Sequence, residues 1–561
     1  MNPQPSSHLP EHPETHKGLV LPPLDSLNCS TPSAPALKPN QYPVSYRGHS
    51  YYEGFDTVDC LSPHSAEELV AHLEYTVQPQ GSYSLSAWVR TSLENALTKD
   101  EWNAARVVGL GECTHGTQEH FAIQAAAARY MIEHHNARVM ALEVPELFAM
   151  LANAAISDES SPLSHIPIGL PCSTWSNSPI IGLLEWIRNE WNVRNPRQAV
   201  RVVGLDPTIS PNISINLDNV RALDGVGRIF AHSYLPLAKK AQALERDVWT
   251  VYSERSSREV LSSTDLSIFK SHAAEFCKIS ALLKASLHAL CDRFDAQDDR
   301  RSDFSRRSVR ESIAHMPDNK RLLALNLFDS LSFLDSVIDI IPSDSQESLA
   351  QAFLSSRRIR DALMFKKIQG ELASLVQKKP HHSTSESRNE SALKIVALGH
   401  TMRIGVNTGD LPELEDLGRL LKQAHGDGYR AFAVSNVSGF VKSWAPNPSC
   451  DDAAIAPHYG VAPVGSLEDL LHRAGKGSSF MSFDNHTSPL VNRELALRMK
   501  GAGPPIDQEF LSGINPTEFL TGMWCLERTD GATVYSAQEQ SNSRTRVLQW
   551  LRMRCIDRLK D

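Results

Sequence analysis

Residues Arg106–Pro145 read RVVGLGECTHGTQEHFAIQAAAARYMIEHHNARVMALEVP, and the reading of this stretch decides the fold. Val107, Val108 and Leu110 form a short apolar run punctuated by glycines. Gln118 to His135 is rich in Ala, Gln, Met and other helix formers and contains no Gly or Pro. Val139, Met140 and Leu142 form a second apolar run, which ends at Glu143. Strand, polar loop, helix and strand in that order predict a βαβ unit whose two strands lie parallel in a buried sheet. In open parallel sheets the ligand crevice lies beyond the carboxyl ends of the strands. Here those ends deliver Glu112, His115 and Glu143 to one edge.

Working outward, the same signature recurs. Arg201–Asp206 (RVVGLD) nearly repeats RVVGLG and again ends in an acid, and Lys394–His400 (KIVALGH) ends in a histidine. Arg430–Val434 gives a fifth strand and Gly522–Glu527 a last one. Helical patterns are read at Ser65–Tyr75, Leu85–Leu97, Ile180–Asn192, Leu467–Arg473 and Thr545–Leu559. Between the third and fourth strands, apolar residues recur at helical spacing through Arg228–Glu254, Asp265–Arg293, Lys320–Ile341 and Gln346–Val376. A single crossover helix cannot account for so long a segment. The expected fold is therefore α/β: a mostly parallel sheet flanked by helices, with a large inserted all-helical subdomain forming one wall of the cleft. The expected organisation is a disordered Pro/Ser-rich tail (1–45), the first part of the α/β core (46–216), the helical lobe (217–377), a polar loop (378–391) and the second part of the core (392–561). Within the polar loop, His381 and His382 are read as solvated.

Composition excludes several classes. A net charge of -9 over 561 residues, mixed in sign along the chain, gives no basic stripe for a phosphate backbone. No apolar run reaches the roughly 18 residues of a membrane span, and the first residues lack the apolar centre of a secretory signal. The nine cysteines are scattered without CxxC spacing, as reduced thiols are. The expectation is a cytoplasmic protein with a small-molecule substrate and neither nucleic acid nor membrane as partner. Its oligomeric state stays open.

Glu112, His115, Glu143, Asp206 and His400 all fall at, or within about five residues of, the carboxyl end of a predicted strand, where parallel neighbours gather such groups. Asp206 taken singly also suits helix capping or an arginine pair. His115 lies in a glycine-flanked loop, Gly111 to Gly116, which lets a substrate approach the backbone. A neutral imidazole there can take a proton from water, because its ordinary pKa lies near the working pH. A carboxylate on its other nitrogen, from Glu112 or Glu143, would fix the tautomer. The chain has no GxSxG elbow, no HExxH and no GK[ST] phosphate loop, and GLGECTHG has the wrong spacing for GxGxxG. Cys113 is read as a small buried thiol and not a nucleophile. No cofactor is expected. The same Glu/His/Asp set also suits a divalent metal, so metal dependence stays open.

At GLGECTHGTQEHF the chain resembles the erythromycin esterase family, whose signature is GE-x-THG followed by an acid and an aromatic. ALEVP matches the block carrying that family's second glutamate, and Trp175 with LLEWIRNEWN its tryptophan block. VVGLDP matches its GFD or GMD strand end, and Arg360-Asp361 with Met364 its RD-x-x-M. GHTMR falls where the family has HN-x-H. These blocks cover roughly residues 100 to 440. The resemblance implies an α/β core beside a helical lobe and hydrolysis of a macrolide lactone by water, without a covalent serine intermediate. It assigns His115 as general base supported by Glu112 and Glu143, with His400 binding or polarising the ester carbonyl. Arg403, Gln124, Asp206 and Arg360 would contact substrate.

Two departures stand out. Gln124 occupies a position where many members carry Arg, and Arg403 and Thr401 replace the second His and the Asn of HN-x-H. Arg403 can supply an oxyanion contact that Gln124 cannot, but it is permanently charged and cannot shuttle protons. The base apparatus is therefore kept while the substrate-orienting part is altered. The expected activity is hydrolysis of a carboxylic ester or lactone. The alternative is a lyase or cyclase of specialised metabolism in which His115 abstracts a carbon-bound proton. A third reading, a non-catalytic ligand binder, is disfavoured by retention of the acid/base groups.

Overall fold

The computed structural model describes residues 61–145, 177–207, 347–377, 394–406, 416–441, 461–483, 488–499 and 510–530, with isolated positions between them. The strands are β1 (Gln78–Pro79), β2 (Val107–Glu112), β3 (Ala137–Pro145), β4 (Arg201–Asp206), β5 (Lys394–His400), β6 (Tyr429–Phe440), β7 (His458–Tyr459), β8 (Ser479–Ser482), β9 (Leu495–Arg498), β10 (Phe510–Ile514) and β11 (Gly522–Thr529). The main sheet runs β1-β8-β11-β6-β2-β5-β3-β4, with β7 paired to β6. The six strands from β11 to β4 are mutually parallel. β8, β1 and β7 join antiparallel, and β9 and β10 form a separate antiparallel pair.

The expected fold class is what the structure has: a mostly parallel sheet covered by helices on both faces. Successive residues of a strand point to opposite faces, so each central strand feeds two cores. Val108, Leu110, Met140, Leu142, Val396, Leu398 and Phe432 pack against the helix Gln118–His134. That helix is apolar nearly all round, because it lies between the sheet and two outer helices, Leu85–Ala96 and Ser178–Trp186. Val107, Val139, Ala141, Ile395, Ala397 and Ala431 face the other way. They are covered by Met364, Ile368 and Leu372 of the helix Glu347–Gln377, Leu417 and Leu421 of Leu417–His425, and Leu470 and Leu471 of Leu467–Gly475. Each such fully buried side chain contributes about 1.5–3 kcal/mol relative to exposure. Lys394, buried at the start of β5, is satisfied by main-chain carbonyls at the end of the helix Lys99–Ala104: its Nζ donates to Trp102 O and, at 2.6 Å, to Ala105 O.

The connections define where a ligand crevice belongs. From β2 the chain crosses to β3 on one side, and from β5 it crosses to β6 on the other. β2 and β5 are neighbours, so the switch point of the sheet lies at their carboxyl ends.

Several expectations are refined. β2 and β3 are parallel as read, but β5 lies between them. β6 continues to Phe440, well past Val434. The helix expected over 180–192 is α-helical only to Trp186. It then widens into a π turn, Ile187–Asn192, which lets Asn192 Oδ1 accept from Val200 N at 2.8 Å and brings Trp191 under the Arg138 guanidinium, 5.1 Å from ring centroid to Cζ. The helix Glu347–Gln377, read as part of the lobe, packs against β4, β5 and the helix Leu417–His425, and so roofs the sheet. Isolated positions between 267 and 285 are helical. The remainder of the lobe, the 1–45 tail, the 378–391 loop with His381 and His382, and the helix expected at 545–559 lie outside the described residues. Among the described residues no helix is long and apolar enough to cross a membrane.

Gly111 sits in β2 where Thr401 crosses it: a Cβ there would stand 2.8 Å from the Thr401 Cα. Gly111→Ala must push main chain aside, and we expect a loss of about 1–3 kcal/mol, read as a lower urea midpoint at unchanged m-value.

Candidate active site

Register places Glu112 directly opposite His400 across β2 and β5. The next strands, β3 and β4, carry Glu143 near the carboxyl end and Asp206 at it, so four titratable groups stand on four consecutive strands at one edge. β3 carries an irregularity between Leu142 and Pro145 against β4, the kind of local break that re-aims a side chain. Here the re-aimed side chain is Glu143.

Beyond Glu112 the chain turns back on itself. Gly116 adopts φ +85°, a left-handed conformation that a side chain would resist. The turn returns His115 over its own strand, where its Nδ1 donates to Glu112 Oε1. That bond fixes the proton on Nδ1 and leaves Nε2 as the basic nitrogen. Glu112 is fully buried, and its Oε2 has no donor among the described residues. Burial pushes the Glu112 carboxyl up, against the pull of His115. Burial also disfavours the charged imidazole of His115, but the charge and hydrogen bond of Glu112, with help from Glu143, outweigh it and hold His115 above its ordinary value.

His400 lies alongside, its ring centroid 4.8 Å from that of His115. Its Nδ1 accepts from Met402 N at 3.2 Å, so in the neutral ring the proton is on Nε2 and that nitrogen is a donor. The main-chain N–H of His400 donates to Glu143 Oε2 at 2.8 Å. Glu143 Oε1 receives Arg403 Nε at 2.6 Å and Arg360 Nη2 at 3.2 Å. Arg360 also grips Asp206 with two bonds, Nε to Oδ1 at 2.9 Å and Nη2 to Oδ2 at 2.7 Å. Arg403 Nη1 donates to the buried Asp361. Burial would raise the Glu143 carboxyl, but the two guanidiniums, His115 and the His400 N–H pull it down to about 2.

Seven of the eight residues singled out in the sequence thus join one network: Glu112, His115, Glu143, Asp206, Arg360, His400 and Arg403. Gln124 is placed elsewhere. It is buried in the helix behind the sheet, and its Nε2 donates to the carbonyls of Leu110 at 2.9 Å and Gly399 at 3.4 Å. It clamps β2 to β5 from behind, apart from that network. The open choice between Glu112 and Glu143 as partner of His115 is resolved by the same geometry, because Glu143 is engaged on both oxygens by other donors. Cys113 is fully buried, donates to Thr401 Oγ1 at 3.5 Å, and is pushed up to about 12 by burial, so it is no thiolate. Among the described residues no three His, Cys, Asp or Glu side chains converge as metal ligands. Asp361 was passed over in the sequence as a residue with a role, although its place beside Arg360 was the signal. Thr114, Thr117 and His120 were passed over too; nothing in their spacing marks them.

A titratable cluster at the switch point of a doubly wound parallel sheet defines the ligand-site architecture of α/β enzymes. The family model for erythromycin esterase matches residues 132–512, more than half of the chain, and the chain belongs to that family. The matched segment includes Glu143, Asp206, Arg360, His400 and Arg403 and begins downstream of Glu112 and His115. No curated protein sequence matches the chain. Three solved structures share the fold. A Bacillus cereus protein is 16% identical with a TM-score of 0.51, covering 84% of this chain and 99% of its own. A succinoglycan biosynthesis protein is 14% identical with a TM-score of 0.53, covering 85% and 100%. A mutant of the erythromycin esterase EreC in its open conformation is 16% identical with a TM-score of 0.51, covering 81% and 98%.

Glu143 yields a stability prediction. Its folded pKa of about 2 lies below the unfolded value of about 4.3, so its contribution is fully present above that value and is lost as pH falls toward 2. Glu143→Gln should cost about 3 kcal/mol at pH 7 by leaving buried guanidinium charge uncompensated. It should also flatten the acid side of the stability curve, measured by denaturant titration between pH 7 and 3.

Proposed function

We propose that the chain hydrolyses a carboxylic ester or lactone with water deprotonated directly by His115, and with no covalent enzyme intermediate. Family membership supports a hydrolase, and an esterase within that class. The observation that carries the mechanism is the bond from His115 Nδ1 to Glu112, which leaves Nε2 as a basic nitrogen with no hydrogen-bond partner of its own among the described residues, in a ring 4.8 Å from that of His400. Nε2 takes a proton from water as the oxygen adds to the ester carbonyl. Glu112 stabilises the imidazolium without itself taking the proton. The negative charge growing on the carbonyl oxygen is met by the Nε2–H of His400, and by the Arg403 guanidinium, whose Nη2 has no acceptor among the described residues. Collapse of the adduct expels the alkoxide, which recovers the proton from His115, giving an acid and an alcohol, or one hydroxy acid from a lactone. Arg360 and Asp206 bind the substrate periphery, and the reaction draws on no cofactor. A small-molecule substrate and a cytoplasmic location complete this reading.

Three measurements test it. His115→Ala should lower kcat on an ester substrate by about 10²–10⁴-fold with the circular-dichroism spectrum kept, and full turnover in that variant would end the proposal. Solvent oxygen-18 should appear in the carboxylate product. Product formed without label would hand the site to the lyase or cyclase reading, with His115 abstracting a carbon-bound proton. The base must be neutral to act, and Glu112 raises its pKa, so the acid limb of kcat/KM should lie above pH 6.5. In Glu112→Gln the limb should move down, because burial then acts unopposed by that carboxylate.

A further inference from the structure

Thr117 stands at the N-cap of the helix Gln118–His134, where a threonine hydroxyl ordinarily accepts from a first-turn amide and contributes about 1 kcal/mol. It makes no such bond. Its Oγ1 lies instead 2.8 Å from Thr114 Oγ1, which in turn lies 3.1 Å from His120 Nδ1. All three side chains are fully buried. The helix start is served from outside: Gln118 N donates to Asp530 O at 3.0 Å, and Glu119 Oε2 accepts from Asp530 N at 2.9 Å. The end of β11 thus takes over part of the capping, and the Thr117 hydroxyl is released for the loop.

What the released hydroxyl holds is the turn that carries His115. Thr114 precedes His115 directly, and Thr117 follows Gly116, so the bond between the two hydroxyls closes the dipeptide His115–Gly116 at both ends. His120 ends that chain of contacts: its Nδ1 meets Thr114, and its buried ring lies beside Ser435 and Asn436 of β6, where Nε2 has no hydrogen-bond partner among the described residues. We propose that His120 is a positioning residue: through Thr114 and Thr117 it holds the His115 loop in the one conformation that seats the imidazole on Glu112. Burial keeps His120 itself neutral, its pKa pushed down to about 3. The brace therefore keeps its protonation while His115, with the ring of His400 alongside, titrates under the influence of Glu112, Glu143 and Arg403.

The activity readout of the test rests on the hydrolase reading; the second readout does not. His120→Leu removes the ring nitrogen, and His120→Asn returns a polar atom near the Nδ1 position. Both are made in the full chain. In His120→Leu we expect kcat on an ester to fall about 10²-fold with KM within about threefold, because a base displaced by about 1 Å loses that much. The His115 resonance, followed by NMR in histidine-labelled protein and assigned with His115→Gln, should titrate at lower pH as its contact with Glu112 loosens. His120→Asn should restore most of both. If His120→Leu does not fold, Thr117→Val removes the central hydroxyl from the same brace and should give the same two changes. A folded variant with unaltered kcat and unaltered His115 titration, or one that loses only melting temperature, overturns the proposal. Should the wild type turn over no ester, the hydrolase reading fails, while the His115 titration still decides whether the brace positions it.

Discussion

A carboxylate can be kept ionised away from water only if enough donors surround it, and Glu143 meets that condition with an N–H from His400 and nitrogens from Arg360 and Arg403. The donors come from β5, from the helix Glu347–Gln377 and from the turn after β5, so one side chain of β3 ties together the elements around the crevice. Asp206 accepts from Nε and Nη2 of Arg360, and Asp361 from Nη1 of Arg403. Remove Glu143 and two cations lose their common counter-ion. The arrangement sets the position of His400 and Arg403.

The two glutamates of the site are a study in contrast. Glu143 is saturated with donors and held far below the ordinary carboxyl range. Glu112 is equally enclosed but meets a single strong partner, the His115 imidazole, and its pKa moves up. Environments that push two acids apart assign them different work. Glu143 is a fixed charge that organises neighbours, and Glu112 answers to the protonation of the imidazole.

Most of the sheet was legible because parallel strands buried on both faces read as short continuous apolar runs, and β2, β3, β4 and β5 each end in a titratable residue. That coincidence also exposed most of the site. The order of strands was not legible: nothing in ALEVP or KIVALGH says that β5 enters between β2 and β3. The short antiparallel strands β1, β7, β8, β9 and β10 were passed over because two to five residues carry too little pattern against turn-rich surroundings. The place of Gln124 was not legible: its sequence position says nothing of the two strand carbonyls, Leu110 and Gly399, to which its Nε2 donates. Thr117 was not legible either: it stands at the N-cap of its helix, yet its hydroxyl meets Thr114 three residues back and makes no capping bond.

The insertion of β5 between β2 and β3 carries a consequence for assembly. Glu143 and the His400 amide that it accepts are 257 residues apart in the chain. During synthesis β2, its helix and β3 emerge long before β5, and they must remain unpaired with each other across a gap of about two strand spacings, roughly 9.6 Å. A premature β2–β3 pairing would be a compact but wrong sheet, closed to the strand that brings His400. The entropy of closing so long a loop has to be met before the bond from His400 to Glu143 can form. Secondary structure near His115 can therefore form while the crevice is incomplete, because β5 and the later β6 and β11, which meet the His115 loop, have still to join the sheet.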